Sequence, residues 1–130
     1  MSLFRSLDFI YIPSGDVKKD FTHYTEALGC KPVFSISAFG TRVAGLRLGD
    51  GGPMILLVGH LEGQVPILIY RVDNFEQSVK ELKKHGIKGT ELEIPHGPCF
   101  SFKAQGGQRI AIYELKRPEA NTHLEGKFDP

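Results

Sequence analysis

Two stretches of the chain place apolar residues at intervals of three and four, the spacing of one helix face. They predict helices over about Asp16–Leu28 and about Asn74–His85. The first residue of each is a suitable N-cap, because its side chain accepts hydrogen bonds from free backbone N–H groups. Gly29 and Gly86 follow the two stretches, where a left-handed glycine commonly ends a helix.

Most of the remaining chain predicts strands, separated by breaks rich in glycine and proline. The order is a strand, a helix and three strands, and it occurs twice. The two N-caps lie 58 positions apart and the two helix-ending glycines lie 57 apart, so the sequence predicts an internal repeat. The predicted strands are Asp8–Ile12, Pro32–Ser37, Arg42–Leu48, Met54–Val58, Ile67–Val72, Thr90–Ile94, Phe100–Lys103 and Arg109–Leu115.

This repeat predicts an α+β chain of two tandem βαβββ modules within a single domain, 1–130. Module one covers about 7–59, module two about 66–115, and a loosely packed tail covers 116–130. Neither module is large enough to bury a comfortable core alone. The composition, 41% hydrophobic and 24% charged residues, is typical of a globular protein.

Charge and cysteine content narrow the expected partners and compartment. The net charge of +1 gives no electrostatic reason to expect a nucleic-acid or membrane partner. The chain has no run of 18 apolar residues, and its first residues lack the long apolar stretch that a signal peptide needs. Cys30 and Cys99 form no CxxC motif, which favours two reduced thiols. We therefore expect a cytoplasmic protein.

Four motifs stand in order along the duplicated βαβββ pattern: "SGD" at Ser14–Asp16, "HYTEALG" at His23–Gly29, "YRVDN" at Tyr70–Asn74 and "FKAQGGQRIAIYE" at Phe102–Glu114. With the duplicated βαβββ order, they make the chain resemble the vicinal-oxygen-chelate (VOC) superfamily over about 7–115. That superfamily includes glyoxalase I, extradiol dioxygenases and the fosfomycin- and bleomycin-resistance proteins. The resemblance implies the glyoxalase/bleomycin-resistance fold, with concave mixed sheets, and a homodimer.

The resemblance also implies where a metal would bind. Enzymes of this superfamily usually hold a divalent metal with His, Glu or Gln side chains from the first and last strand of each module. The matching positions here are Phe9, Leu56, Ile67 and Ala111. None of these side chains binds a metal, and a shift of one residue in either direction adds only Asp8 as a donor. We therefore expect neither a metal site at these positions nor a cofactor.

Alternation along each strand places these positions on one inner face, together with tyrosine and arginine side chains near its ends. Such a face suits a small ligand with an apolar or aromatic body. The same side chains also suit a solid core that fills the former metal cavity, and both interpretations remain open. The predicted ligand-binding residues are Phe9, Tyr11, Leu56, Ile67, Ile69, Arg109, Ala111 and Tyr113.

The sequence thus supports three hypotheses. The leading one is a metal-independent protein, without catalytic residues, that captures a small molecule. The alternative is a lyase, isomerase or dioxygenase-like enzyme with a displaced metal site that uses His60, Glu62 or His96. The third is a regulatory module with a filled cavity. A Cys99–His96 nucleophile would also need an orienting group and an oxyanion hole, which the sequence does not identify.

Overall fold

The computed structural model describes residues 3–38, 40–61 and 63–130, and in it the chain divides into two compact units. Unit 1 comprises the residues up to Asp8 together with Ile67–His123. Unit 2 comprises Phe9–Pro66 and Leu124–Pro130. Strand β1 therefore begins in unit 1 and ends in unit 2. None of the helices in the described ranges is long and apolar enough to cross a membrane.

Unit 2 has the strand order β2-β3-β4-β1. Strand β1 runs parallel to β4, and the other pairs are antiparallel. A π-helical turn, His23–Ala27, follows helix α1. The elements are β1 (Ser6–Pro13), α1 (Val17–Thr22), β2 (Lys31–Ala38), β3 (Thr41–Gly49) and β4 (Gly51–Val58).

Unit 1 has the strand order β5-β8-β7-β6, with β5 parallel to β8 and the other pairs antiparallel. The backbone N–H of Arg5 donates to the carbonyl of Arg71 at 2.7 Å, so the start of β1 lies beside β5. The remaining elements are β5 (Ile67–Arg71), α2 (Phe75–Lys84), β6 (Gly89–Ile94), β7 (Gly97–Lys103), β8 (Arg109–Tyr113) and a 3₁₀ helix (Pro118–Asn121). The mixed sheets and the repeated βαβββ order confirm the α+β prediction.

The helix starts follow the predicted capping chemistry. The side chain of Asp16 accepts a hydrogen bond from the Lys19 backbone N–H at 3.1 Å. Asn74 Oδ1 accepts from the Gln77 backbone N–H at the same distance. Both caps have extended backbone, as N-cap residues do. Gly86 follows the second helix with a φ of 79°, a conformation that costs glycine little.

The first helix differs from the single helix predicted over 16–28. It is α-helical only to Thr22 and continues as the π-helical turn, in which the Leu28 N–H donates to the His23 carbonyl. The Thr25 hydroxyl donates to the Phe21 carbonyl at 3.0 Å. Threonine side chains compete in this way for backbone acceptors, which weakens the α-helical pattern.

Each helix packs its apolar side on its own unit's sheet, which leaves the opposite sheet face for other contacts. The core of unit 2 combines Val17 of α1 with Ala44, Leu46, Ile55 and Leu57 of β3 and β4. Helix α2 packs on unit 1 in the same way. Its core consists of Val72, Phe75, Val79, Leu82, Phe100, Phe102 and Ile112.

Several strand boundaries differ from the predictions, by up to three residues. Strand β4 begins at Gly51 rather than Met54, β7 begins at Gly97 rather than Phe100, and β8 ends two residues before Leu115. The glycines at the starts of β4 and β7 suggested breaks between strands, but glycine also fits an extended backbone. At Gly97 a Cβ atom would lie 2.1 Å from the Glu114 carbonyl oxygen, so this close approach of two backbones excludes other residues.

The tail is packed more firmly than predicted. Its backbone pairs with the outer strand of unit 2, where the Ser35 N–H donates to the Lys127 carbonyl at 2.8 Å. The Asp129 N–H donates to the Ser35 carbonyl at 2.7 Å. Phe128 lies 6.4 Å from the Phe21 ring, between centroids, and stays about half exposed. The tail's backbone groups satisfy the exposed edge of β2, which the sequence pattern did not indicate.

Candidate functional site

We define the far face of each unit as the sheet face opposite its helix. In unit 1, the side chains of Val72, Phe100 and Ile112 contact α2, so their strand neighbours point to the far face. Cross-strand partners share a face, and the observed register therefore arranges the far face in three rows. The rows are Ile67–Arg109–Lys103, Ile69–Ala111–Ser101–Thr90 and Arg71–Tyr113–Cys99–Leu92.

In the first two rows, the side chains on β5 are buried, and the exposed fraction increases towards β7 and β6. Ile67, Ile69 and Ala111 are buried, with exposed fractions of 7%, 3% and 2%. Arg109 is half-buried, while Lys103 is exposed at the outer end of its row. The part of the far face that solvent reaches therefore carries the cationic and hydroxyl side chains rather than the isoleucines.

The third row ends in a polar cluster. The buried Tyr113 hydroxyl donates a hydrogen bond to Asp8 Oδ2, and the Ser6 hydroxyl donates to Asp8 Oδ1 at 2.5 Å. Arg71 Nε lies 3.7 Å from Asp8 Oδ2, in an ion pair that is partly shielded from solvent. Asp8 thus accepts hydrogen bonds from two hydroxyl groups and lies near a cation. Its negative charge offsets the positive charge of Arg71.

Asp8 alternates with Phe9 along β1, so the Cα–Cβ bonds of these two residues point to opposite sides of the strand. The Asp8 carboxylate nevertheless meets Tyr113 and Arg71, which belong to the far face. Alternation fixes the direction of a Cα–Cβ bond, but the end of a tyrosine or arginine side chain reaches well beyond it. The carboxylate is also the counter-ion that a partly buried arginine requires.

His96 joins the same cluster. Its ring meets the Tyr113 ring edge-on, with 6.0 Å between the centroids, and its side chain hydrogen-bonds Asn121. Burial lowers the pKa of His96, against the opposing effects of the Asn121 hydrogen bond and the nearby Asp8 charge. His96 therefore favours its neutral form, in which one ring nitrogen donates and the other accepts a hydrogen bond.

Cys99 lies in the third row, beside Tyr113. It is buried, and this burial raises the pKa of its thiol to about 11. The thiol therefore stays protonated at neutral pH, whereas a cysteine nucleophile needs a thiolate. This argues against a Cys99–His96 nucleophile.

The other predicted ligand-binding residues lie in unit 2. Tyr11 of β1 is the cross-strand partner of Leu56 in β4, and Phe9 is the partner of Met54. Ile55 and Leu57 contact the α1 side, so Leu56 points to the far face of unit 2. Phe9 and Leu56 are buried, with exposed fractions of 4% and 6%, and Tyr11 is half-buried.

The structure thus brings the eight predicted residues together in two sets. One set, in unit 2, contains Phe9, Tyr11 and Leu56. The other, in unit 1, contains Ile67, Ile69, Arg109, Ala111 and Tyr113. Sequence reasoning missed Ser101, Lys103 and Thr90 on the far face of unit 1. The cross-strand register would have revealed them, but the hydrophobic pattern does not determine it.

The four positions that the resemblance assigns to metal ligands hold side chains without a donor atom, so they do not fit a metal. Within residues 3–38, 40–61 and 63–130, no group of three or more His, Cys, Asp or Glu side chains is arranged to hold a metal ion. Of the displaced ligands considered from the sequence, His60 lies on an exposed turn of unit 2 and His96 in the polar cluster of unit 1. Glu62 lies outside the described residues.

A separate cavity of about 620 Å³ lies beside the start of α2 in unit 1. Its charges are largely paired: Arg117 and Glu93 are 2.7 Å apart, and Glu114 accepts a hydrogen bond from the Phe75 N–H at 2.8 Å. None of the eight predicted residues lines it. The lining residues are Asp73, Asn74, Phe75, Glu76, Glu91, Glu93, Pro98, Glu114, Lys116 and Arg117.

Solved structures with the VOC fold are similar to this chain along almost its whole length. A methylmalonyl-CoA epimerase from Mycobacterium tuberculosis matches with a TM-score of 0.75 and 20% identity, over 93% of this chain and 95% of that one. A hypothetical protein from Bacillus halodurans C-125 matches with a TM-score of 0.71 and 18% identity, over 86% and 95%.

A third similar structure is a Streptomyces coelicolor methylmalonyl-CoA epimerase variant in complex with 2-nitronate-propionyl-CoA. Its TM-score is 0.70 and its identity 15%, over 88% of this chain and 96% of that one. Neither the family models nor the curated proteins gave a match. The chain therefore has the VOC fold, as its sequence motifs predicted, and these identities establish the fold alone.

Proposed function

We propose that this protein captures a small apolar or aromatic molecule without a metal and without transforming it. The observation that carries this proposal is the chemistry of four positions. Phe9, Leu56, Ile67 and Ala111 occupy the places of the usual metal ligands, and all four are buried apolar side chains. Apolar side chains have no lone pair to offer a cation, and a ligand contacts them through its own apolar surface.

The proposed contacts lie on the far face of each unit, taken separately. In unit 2, Tyr11 supplies an aromatic surface with a hydroxyl beside the apolar Phe9 and Leu56. In unit 1, Arg109 supplies the accessible polar end, above the buried side chains of Ile67, Ile69, Ala111 and Tyr113. A mainly apolar lining with few polar groups is typical of small-molecule sites. We place this function in the cytoplasm and in a homodimer, in line with the resemblance.

The alternative is an enzyme that uses a displaced metal site. His96 lies near Asp8, and two metal-binding side chain types thus occur in one cluster. Asp8, however, already accepts hydrogen bonds from two hydroxyl groups and pairs with Arg71. The geometry therefore favours binding over metal catalysis.

A thermal-shift screen in the presence and absence of EDTA tests the proposal. A ligand that binds only the folded state stabilises it by about 2.7 kcal/mol at a concentration of 100 times its Kd. We expect aromatic compounds to raise the melting temperature equally with and without the chelator. A shift that EDTA abolishes would support the metal-dependent alternative, and no shift with any compound would support a filled core.

A pair of tyrosine variants sharpens this screen. Tyr11→Phe removes a hydroxyl from the far face of unit 2, whereas Tyr24→Phe removes one from the side that packs with the α1 core. For ligands that carry a hydrogen-bonding group, we expect Tyr11→Phe to weaken binding by about tenfold, the effect of losing one hydrogen bond. Tyr24→Phe should leave binding unchanged. Equal effects of both variants would argue against a site at Tyr11.

A further inference from the structure

The cationic end of unit 1's far face carries a charge that no described residue neutralises. Lys103 and Arg109 are cross-strand partners, so their side chains emerge from the same face of the sheet. Like charges directly opposite each other destabilise a strand pair. No ion pair or side-chain hydrogen bond involves either residue within 3–38, 40–61 and 63–130. An anion between them would relieve the repulsion.

Unit 2 contains a like-charged pair that is neutralised. Lys31 and Arg47 are cross-strand partners of β2 and β3, as Lys103 and Arg109 are of β7 and β8. In unit 2, Asp50 lies 3.0 Å from the Lys31 ammonium group and supplies the negative charge. The hairpin between β7 and β8, Ala104–Gln108, contains no acidic residue. Among the described residues, the pair in unit 1 therefore lacks the counter-ion that the pair in unit 2 has.

The second arginine of unit 1's far face is already paired. Arg71 lies in the third row, where Asp8 faces its guanidinium group at 3.7 Å. A ligand anion at Arg71 would meet the Asp8 carboxylate and be repelled by it. At the opposite end, Arg109 and Lys103 offer two positive charges without this competitor. The far face is thus electrostatically polarised, and an anionic group is attracted to its first row.

Hydroxyl groups and an apolar side chain continue from the cationic pair. Ser101 lies two residues before Lys103 on the same face and is opposite Thr90. Within the described part of the chain, neither hydroxyl has a hydrogen-bond partner. Leu92, in the next row, is 43% exposed. The accessible surface therefore offers charge, then hydrogen-bonding groups, then an apolar contact.

We infer that this surface binds the carboxylate or phosphate group of a small organic anion between Lys103 and Arg109. The body of the ligand lies over Ser101, Thr90 and Leu92. The guanidinium group provides paired donors for an oxyanion, and the lysine adds a point charge. This inference rests on the proposed function, because it names the class of ligand that the Arg109 end of the site recognises.

The test uses benzoate, its neutral isostere benzamide, and inorganic phosphate as probes, with calorimetric and thermal-shift titrations of the full chain. We expect benzoate or phosphate to bind, with benzoate preferred if an organic body contributes. We expect benzamide to bind at least tenfold more weakly than benzoate. Binding should also weaken as salt is added, since screening reduces the attraction between exposed charges.

Three variants localise the effect. Arg109→Gln and Lys103→Gln should each raise the Kd of benzoate by about tenfold to a hundredfold, the usual effect of losing a charged hydrogen bond. Arg47→Gln removes the corresponding arginine of unit 2 and should leave the Kd unchanged. Circular dichroism of each variant checks that it folds.

Each outcome decides the inference. Benzoate and phosphate that fail to bind, or a benzoate Kd unchanged in both Arg109→Gln and Lys103→Gln, would overturn it. Equal binding of benzamide and benzoate would overturn it too, yet would leave the capture of apolar ligands intact. Benzoate binding that depends on Arg109 but is abolished by EDTA would support anion recognition and contradict metal-independent binding. The two proposals can therefore fail separately.

Discussion

The two units have the same order of strands and helix, but their outer strands differ in how the exposed edge is covered. In unit 2, the outer strand β2 is paired by the chain's own residues 126–129, and Arg42 Nε donates to the Ser35 hydroxyl at 3.1 Å beside this contact. In unit 1, the outer strand β6 ends the strand order and five of its six residues are exposed. Unpaired strand edges are usually protected in stable proteins.

The same contrast holds for charge. Unit 2 neutralises its cross-strand Lys31–Arg47 pair with Asp50, whereas unit 1 leaves Lys103 and Arg109 without a described counter-ion. Groups that a fold leaves unsatisfied are the ones available to a ligand. This contrast supports the proposal that unit 1 recognises the anion, whereas the corresponding pair of unit 2 has its own counter-ion.

The largest effect on stability is expected at the polar cluster of unit 1. Asp8→Ala removes the acceptor for two hydroxyl groups and leaves Arg71 without its counter-ion. We expect the free energy of unfolding to fall by about 2–3 kcal/mol, since hydrogen bonds to charged groups are stronger than neutral ones. Urea denaturation at neutral pH measures this loss.

The matched control for Asp8 is Asp50→Ala in unit 2. The Asp50 side chain is 98% exposed, and exposed ion pairs contribute little to stability. We expect no clear change in the urea midpoint. Equal losses in the two variants would contradict the distinction between a shielded cluster in unit 1 and a surface pair in unit 2.

The covered edge of unit 2 gives the second prediction. Removing residues 124–130 exposes β2 and deletes three backbone hydrogen bonds with it. In these bonds the N–H groups of Gly126 and Asp129 donate, and the carbonyl of Lys127 accepts. We expect a loss of about 1–2 kcal/mol after the entropy regained by the freed tail is subtracted. The exposed edge should also promote self-association, which analytical ultracentrifugation detects.

Arg42→Ala weakens the attachment of the tail without removing the tail from the chain. The guanidinium group donates to the backbone carbonyls of Asp129 and, at 3.3 Å, Pro130. We expect this variant to loosen the tail and to show increased hydrogen exchange at Ser35, with a smaller loss of stability than the deletion. A truncated chain that remains as stable and as monodisperse as the intact one would show that β2 needs no cover.

His96 gives a prediction about pH. Burial lowers its pKa in the folded protein, so as the pH falls below the ordinary value of 6.5, the unfolded chain takes up a proton before the folded chain does. Stability should therefore fall from pH 7.5 to pH 5.5 and level off only below the folded-state pKa. His96→Gln should reduce this dependence, whereas His23→Gln, on the exposed side of unit 2, should not. A wild-type chain more stable at pH 5.5 would contradict the sign.

The smallest effect concerns the two thiols. Cys99 is buried and the pKa of its thiol is raised to about 11, whereas Cys30 is half-buried. In the folded protein, we expect a disulfide reagent at pH 8 to modify Cys30 and to spare Cys99 until the chain unfolds. The variants Cys30→Ser and Cys99→Ser assign the reacting thiol. Rapid modification of Cys99 in folded protein would contradict its burial.

The sequence predicted the fold well because local signals agreed with each other. The caps Asp16 and Asn74, the glycines that end the helices and the duplicated strand pattern all pointed to two βαβββ modules. The π-helical turn was missed because Thr25 bonds the backbone of the preceding turn. The tail was missed because its pairing with β2 depends on backbone groups that no hydrophobic pattern marks.

The site was only partly predictable. Alternation correctly selected the far-face residues of β5 and β8, such as Ile69 and Ala111, from periodicity alone. Partners across strands depend on register, which is why Lys103 beside Arg109 was not identified. The polar cluster was not predicted, because the partners of the Asp8 carboxylate, Tyr113 and Arg71, lie far from it in sequence.

We propose that this protein binds its ligand without a metal. Elemental analysis by plasma mass spectrometry tests this on the full chain, purified without a polyhistidine tag and supplied with zinc, manganese, iron and nickel during expression. We expect no transition metal in stoichiometric amount, because Phe9, Leu56, Ile67 and Ala111 offer no donor atom. One tightly held metal ion per chain, retained through dialysis, would contradict it.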